Sequence, residues 1–234
     1  MSFFKLASVA LVSVTVLGTG LKAQACEKIN EFEGLIFDAG AFVAPQDMET
    51  SLDGALLKGV EKVVLYPHPA ADKANQPDAL EETFPDLVLR GNAPWSEADP
   101  VIWPEPLGTE DLGRLGSELA RHSTRRYLLS HISRFDPELL VATFQQNPNL
   151  WLGLNKTDLE LLNKSCGQGL LSRLYEIGPA RLVFASFGQK EGWKYYKWTI
   201  KSLRKLAGYL PPDQADAILF RNAEELYNLA VNAP

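Results

Sequence analysis

Apolar residues in this chain fall into short runs, each closed by glycine, proline or a polar residue, with stretches of helical spacing between them. The first run, Leu35, Ile36 and Phe37, leads into Asp38 and then into Ala39, Gly40 and Ala41. An unbroken run of this length bounded by small residues predicts a strand buried on both faces, with Asp38 at its C-terminal end. Residues 48–58 then carry apolar and small residues at helical intervals and stop at Gly59, and the β-branched segment 60–66 (VEKVVLY) follows, giving strand, helix, strand. Pro67 and Pro69 break that strand and leave His68 in a loop at the same end as Asp38. A short helix over 78–84 and a strand over 87–90, closed by Gly91 and Asn92, come next. Residues 93–108 hold Pro94, Pro100, Pro104 and Pro106 with Trp95 and Trp103. Four prolines argue against a long regular element, with 101–103 as a short candidate strand.

The alternation then resumes. Thr109 caps a helix to His122, and a strand over 127–130 delivers His131. Asp136 followed by Pro137 opens another helix, and a strand over 150–154 ends at Asn155. Residues 156–168 read as a polar connection to a helix over 169–177, which Gly178 and Pro179 stop. The strand 181–186 delivers Phe187, and helices over 193–208 and 214–229 close the chain. Six clear strands and one short candidate, alternating with helices, imply an α/β fold with parallel strands and helical crossovers. The expected architecture is a compact or incomplete (β/α)8 TIM-type barrel, one domain over 26–234. Such barrels usually have about 250 residues and place chemistry at the strand C-termini.

Residues 1–25 stand apart: Lys5, an apolar run over 6–18, and the small-x-small sequence Ala23, Gln24, Ala25. This reads as a secretory signal peptide, which predicts a secreted or periplasmic protein. The run is shorter than the roughly 20 residues of a membrane span, so no span is expected. The chain carries a net charge of −6 and no basic blocks, which argues against nucleic acid or an anionic membrane as partner. The two cysteines, Cys26 and Cys166, pair in one disulfide or stand as free thiols. Ala23 stands where lipid attachment at Cys26 usually wants leucine, which favours plain cleavage. Oligomeric state is left open.

Four stretches together resemble the amidohydrolase-related (amidohydrolase 2) metal-dependent hydrolases. They are Phe37-Asp38-Ala39-Gly40-Ala41-Phe42, the segment 128–135 around His131, the segment 177–187 with Gly178, Arg181 and Ser186, and 210–227 with Asn222 and Ala223. The resemblance implies a barrel with a zinc-type hydrolytic centre. It also exposes departures: Gly40 and Phe42 stand where the family has two metal-binding histidines, and Phe187 where it has a metal-binding aspartate. Asp38 and His131 alone match. The whole chain has three histidines, His68, His122 and His131, while a catalytic zinc needs about three protein ligands and an open position. The expectation is therefore no metal and no other cofactor, with a site rebuilt from His131, His68 and a carboxylate as the contrary case.

Asp38 and His131 form the candidate catalytic acid–base pair, His131 having an ordinary pKa suited to such work. Their bland readings are a strand-end carboxylate held by backbone N–H groups and a satisfied buried histidine. His68, Arg134, Trp103 and Glu105 are candidate substrate-binding residues. Arg134 has the fork to hold a carboxylate, or it pairs with Asp136. Phe42 and Phe187 read best as plugs, since an emptied polar hole would be costly. There is no Gly-x-Ser-x-Gly elbow and no phosphate-binding glycine motif. The aromatic and lysine-rich segment 193–198 reads as an amphipathic helix start. The sequence thus points to an exported amidohydrolase-like barrel with a degenerate metal centre, acting as a binding or accessory protein for a small ligand. The alternative is a metal-independent hydrolase or decarboxylase acting on a small carboxylated compound.

Overall fold

A computed structural model describes residues 31–43, 48–67, 73–92, 100–103, 111–163, 170–187 and 193–229. The signal segment, Cys26, His68, Trp95, Glu105 and Cys166 lie outside the described residues. The strands are β1 (Ile36–Phe42), β2 (Val60–Tyr66), β3 (Val88–Arg90), β4 (Val101–Trp103), β5 (Tyr127–Leu129), β6 (Leu150–Leu154) and β7 (Leu182–Phe184). The helices among and after them are α1 (Met48–Leu56), α2 (Pro77–Thr83), α3 (Leu112–Arg121), α4 (Pro137–Gln146), α5 (Lys156–Asn163), α6 (Leu170–Ile177) and α7 (Tyr196–Ala207). A last helical segment runs from α8 (Pro212–Asp216) through a π-helical turn (Ala217–Arg221) into α9 (Asn222–Leu226).

All strand pairs are parallel, in two sheets ordered β1-β2-β3 and β4-β5-β6-β7. The break between the sheets falls after β3, where the sequence is proline-rich, and the short candidate strand is real as β4. At the other edge the Phe187 N–H donates to the Gly40 carbonyl at 2.8 Å, but β7 and β1 share no ladder. The π-helical turn and α9 pack against both. The described strands therefore do not form a closed barrel.

Strand periodicity sorts the core into two layers. Ile36, Val63, Leu65, Val101, Trp103, Leu129, Leu152 and Phe184 pack with helix residues such as Leu52, Leu115, Phe144 and Ile200. Their neighbours Phe37, Val64, Tyr66, Ile102, Leu128, Trp151 and Val183 pack with one another and with Ala223 and Leu226 of α9. Two arginines lock strand entries. The Arg181 guanidinium donates to the carbonyls of Phe144, Asn147 and Leu150 and lies 3.9 Å from the Phe144 ring centroid. Arg204 of α7 donates to the carbonyls of Phe32, Gly34, Lys58 and Gly59.

One element departs from expectation. Residues 156–163 read as polar connection, yet they form α5. The cause is a reciprocal cap: the Asp158 N–H donates to Asn155 Oδ1 (3.0 Å), and the Asn155 N–H donates to Asp158 Oδ2 (3.1 Å). Each side chain satisfies an N–H that a helix start leaves open.

Candidate ligand cavity at the strand ends

Past the end of β5 the chain turns sharply at His131, whose φ of 54° and ψ of 46° are left-handed. That conformation is strained for a non-glycine residue. It leads directly into a 3₁₀ turn, Ile132–Arg134, fastened by Asp158 Oδ1, which accepts the Ser133 N–H at 2.9 Å. The same Asp158 caps α5, so one buried carboxylate ties the β5 and β6 exits together.

This arrangement sets the state of His131. The Asn155 Oδ1 is committed to the Asp158 N–H, so its Nδ2 faces His131 Nδ1 at 3.2 Å. An amide NH₂ donates, so Nδ1 accepts, and the ring proton of the neutral imidazole sits on Nε2. Burial lowers the His131 pKa from 6.5, with Arg134 adding to the effect and Asp158 opposing it. His131 is thus a neutral ring that offers an N–H.

Beside it lies a cavity of about 400 Å³. The β5 exit lends it His131, Ser133 and Arg134, and the start of α5 lends Asn155, Lys156 and Thr157. Ser186, following β7, and Tyr196 and Thr199 of α7 complete the wall.

Asp38 is absent from that wall. It is fully buried, with Oδ1 accepting the N–H groups of Ser186 (2.9 Å) and Gly40 (3.2 Å) and Oδ2 accepting the Tyr196 hydroxyl (2.9 Å). Burial pushes its pKa up to about 6, against the pull of the Ser186, Tyr196 and Gly40 hydrogen bonds. The expected direct pair of Asp38 with His131 is not formed as a hydrogen bond: each has other partners, and Asp38 meets the cavity only through Ser186 and Tyr196. Strand parity accounts for this. Asp38 shares the face of Ile36, and Ser186 the face of Phe184, both turned toward the helices.

The centre of the strand ends is filled by Phe187. Its φ of 44° turns the ring inward, where it is 4% exposed and its centroid lies 6.1 Å from that of His131. Gly153 and Gly40 make the room: a Cβ on Gly153 would stand 2.5 Å from the ring, and one on Gly40 3.3 Å. Phe42 packs on Tyr66, centroids 5.8 Å apart. The residues present do not fit the metal centre implied by the resemblance. Gly40, Phe42 and Phe187 bring no ligating side-chain atom to this point, and His131 Nδ1 and both Asp38 oxygens are engaged. Among the described residues no cluster of three or more His, Cys, Asp or Glu could hold a metal.

Of the expected substrate-binding residues, Arg134 lies on the cavity wall. Trp103 does not. It belongs to the helix-side layer, with the Arg114 guanidinium 5.9 Å from its ring centroid, because β4 presents Ile102 rather than Trp103 to the interior. His68 and Glu105 lie outside the described residues. Sequence reasoning missed Asn155, Asp158, Lys156 and Thr157, although the Asn-x-x-Asp spacing carried a helix-start signal. Ser186 stood out only as part of the resembling segment 177–187 and Tyr196 not at all, since their link to Asp38 spans about 150 residues of chain.

No protein-family model and no curated protein sequence matches the chain. Among solved structures, an amidohydrolase from Burkholderia multivorans with bound zinc is similar, with a TM-score of 0.51 and 10% identity over 84% of this chain and 100% of that chain. At that identity the likeness is one of fold.

Proposed function

We propose that this chain is an exported, barrel-derived amidohydrolase-like protein whose metal centre is degenerate, and that it serves as a binding or accessory protein for a small ligand. The observation that carries the reading is the Phe187 ring, seated on Gly153 and Gly40 where a metal site would need open space. The space left at the strand ends lies to one side, against α5 and α7, with walls of polar side chains. Export rests on the N-terminal pattern of Lys5, the apolar run and Ala23-Gln24-Ala25.

The experiment is metal analysis of the full chain produced with zinc and manganese supplied. The expected result is well under one equivalent after dialysis. One retained equivalent that disappears in His131→Ala would overturn the proposal.

A metal-independent enzyme using Asp38 and His131 draws support from one observation. Asp38, with its pKa raised to about 6, is joined to the cavity through the Tyr196 hydroxyl. Turnover of a small carboxylated compound in metal-free buffer, abolished by Asp38→Asn and by Tyr196→Phe, would favour that reading instead.

A further inference from the structure

The cavity beside His131 is chemically one-sided. Among the described residues, its charged wall residues are both cations, Arg134 and Lys156. Lys156 is already paired with Glu160 one helical turn away. Arg134 makes no side-chain hydrogen bond or ion pair among the described residues, so its fork is unspent. Among the described residues the nearby carboxylates are committed elsewhere: Asp158 to the N–H groups of Ser133 and Asn155, and Asp38 behind Ser186 and Tyr196. His131 offers an Nε2–H rather than a lone pair. The hydroxyls of Ser133, Thr157 and Thr199 make no hydrogen bond among the described residues.

We infer that this cavity is a binding site for a small polar monocarboxylate, with Arg134 gripping the carboxylate and the hydroxyl-bearing wall holding the rest of the molecule. The inference rests on the proposed binding role and names its ligand class. A guanidinium matches a carboxylate in a planar two-bond fork. The number of free charges selects among anions. One unpaired guanidinium, helped by the partial positive charge at the start of α5, balances one negative charge and not the nearly two of inorganic phosphate. The size points the same way. About 400 Å³ far exceeds the roughly 30 Å³ taken by one water, so a bare ion would leave most of the cavity to solvent. The hydroxyl-bearing wall of Ser133, Thr157 and Thr199 suits an organic body that is itself hydroxylated.

The test is titration calorimetry of the full chain with a panel of hydroxylated monocarboxylates of three to six carbons, glycerate to gluconate. Each is paired with its neutral amide, and inorganic phosphate is run alongside. At least one acid is expected to bind, its amide at least about tenfold more weakly, and phosphate more weakly than that acid. Arg134→Gln should cut affinity for the acid by about tenfold or more, the usual scale for losing a charged hydrogen-bond partner. Arg134→Lys should recover only part of it. Arg134 is exposed, so both variants should keep the wild-type melting temperature. Amides binding as well as their acids, phosphate binding best, an affinity unmoved in Arg134→Gln, or no acid binding below about 10 mM would each overturn the inference. None of these outcomes bears on the metal analysis, so the binding role and its ligand class fail separately.

Discussion

Gly153 is the position where the seating of Phe187 can be tested most directly. A methyl group there would stand 2.5 Å from Phe187 Cε2, 2.7 Å from Cζ and 3.1 Å from the Ala185 Cβ. Carbon atoms rest at about 3.5–4.0 Å, so in Gly153→Ala the ring must withdraw by about 1 Å. It has little freedom to do so. The residue is 4% exposed, its N–H is tied to the Gly40 carbonyl, and the ring also lies close over Gly40. Overpacking of this kind costs about 1–3 kcal/mol, or a melting-temperature fall of about 2–12 °C for a domain of this size. The backbone is not the cause, because Gly153 does not have a positive φ.

The companion variant Phe187→Ala empties the site and costs about 3–5 kcal/mol. In that background the methyl group added by Gly153→Ala enters vacated space. The second substitution should then be neutral, or stabilising by about 0.5 kcal/mol through the unfolded chain. The expected coupling between the two sites is therefore about 1–3.5 kcal/mol. Urea unfolding of the wild type, both single variants and the double variant measures it. Additivity within about 0.5 kcal/mol would mean that the ring does not lie over Gly153, and the account of a filled strand-end centre would fall with it.

Three further outcomes follow from named contacts. Asp38 has a folded-state pKa of about 6 against an ordinary 3.8, so the fold prefers its protonated form. Its contribution is full below about pH 4 and is lost as pH rises through about 6, a change of about 3 kcal/mol. Asp38→Asn should accordingly gain on the wild type by that amount between pH 4 and 7 in denaturant titrations, and a gap independent of pH would refute this. In Asn155→Asp an oxygen replaces the amide NH₂ facing His131 Nδ1, and the His131 pKa, now lowered by burial, should rise by about one unit or more in an NMR titration. No rise would mean that the amide does not set the ring. Arg181→Ala frees three carbonyls and the Phe144 ring face, for a loss of about 2–4 kcal/mol in thermal melts. Lysine should not restore it, and full rescue by lysine would show that charge alone suffices.

The strands are legible in the sequence because each is a compact apolar run. The apolar runs place β1, β2, β3, β5, β6 and β7, and they mark β4 although that strand holds only three residues among prolines. Parallel order follows from the alternation with helices. What stays hidden depends on pairings remote in sequence. Asp38 is visible as a strand-end carboxylate, but its partners Ser186 and Tyr196 lie about 150 residues away, and no local pattern announces them. The face it occupies is readable in principle, since Ile36 and Asp38 share parity, yet a run buried on both faces gives no polar alternation to say which side is which. Trp103 is misplaced by sequence reasoning for the same reason. α5 is different: its Asn155–Asp158 cap is in plain view, outweighed by the polar character of the residues after it.

The departures at the strand ends depend on one another. Phe187 can turn inward because positions 40 and 153 lack side chains. A Cβ at Gly40 would already stand 3.3 Å from the ring and 3.6 Å from both Ala185 and Tyr66, so an imidazole there has no place while Phe187 remains. Histidine placed at Gly40 alone would crowd a packed interior. The Phe187 N–H to Gly40 carbonyl bond and the Ser186 N–H to Asp38 bond draw β7 to β1 at their ends, where no ladder joins them. The same residues that fill the centre thus hold the two sheets together at this edge. Asp38 takes part in that closure through Ser186 and Tyr196, so the carboxylate that reads in sequence as a catalytic group stands in the fold as a clasp. Among the described residues, the donors left for a ligand are those displaced toward α5 and α7, with Arg134 the cavity cation whose charge is unspent.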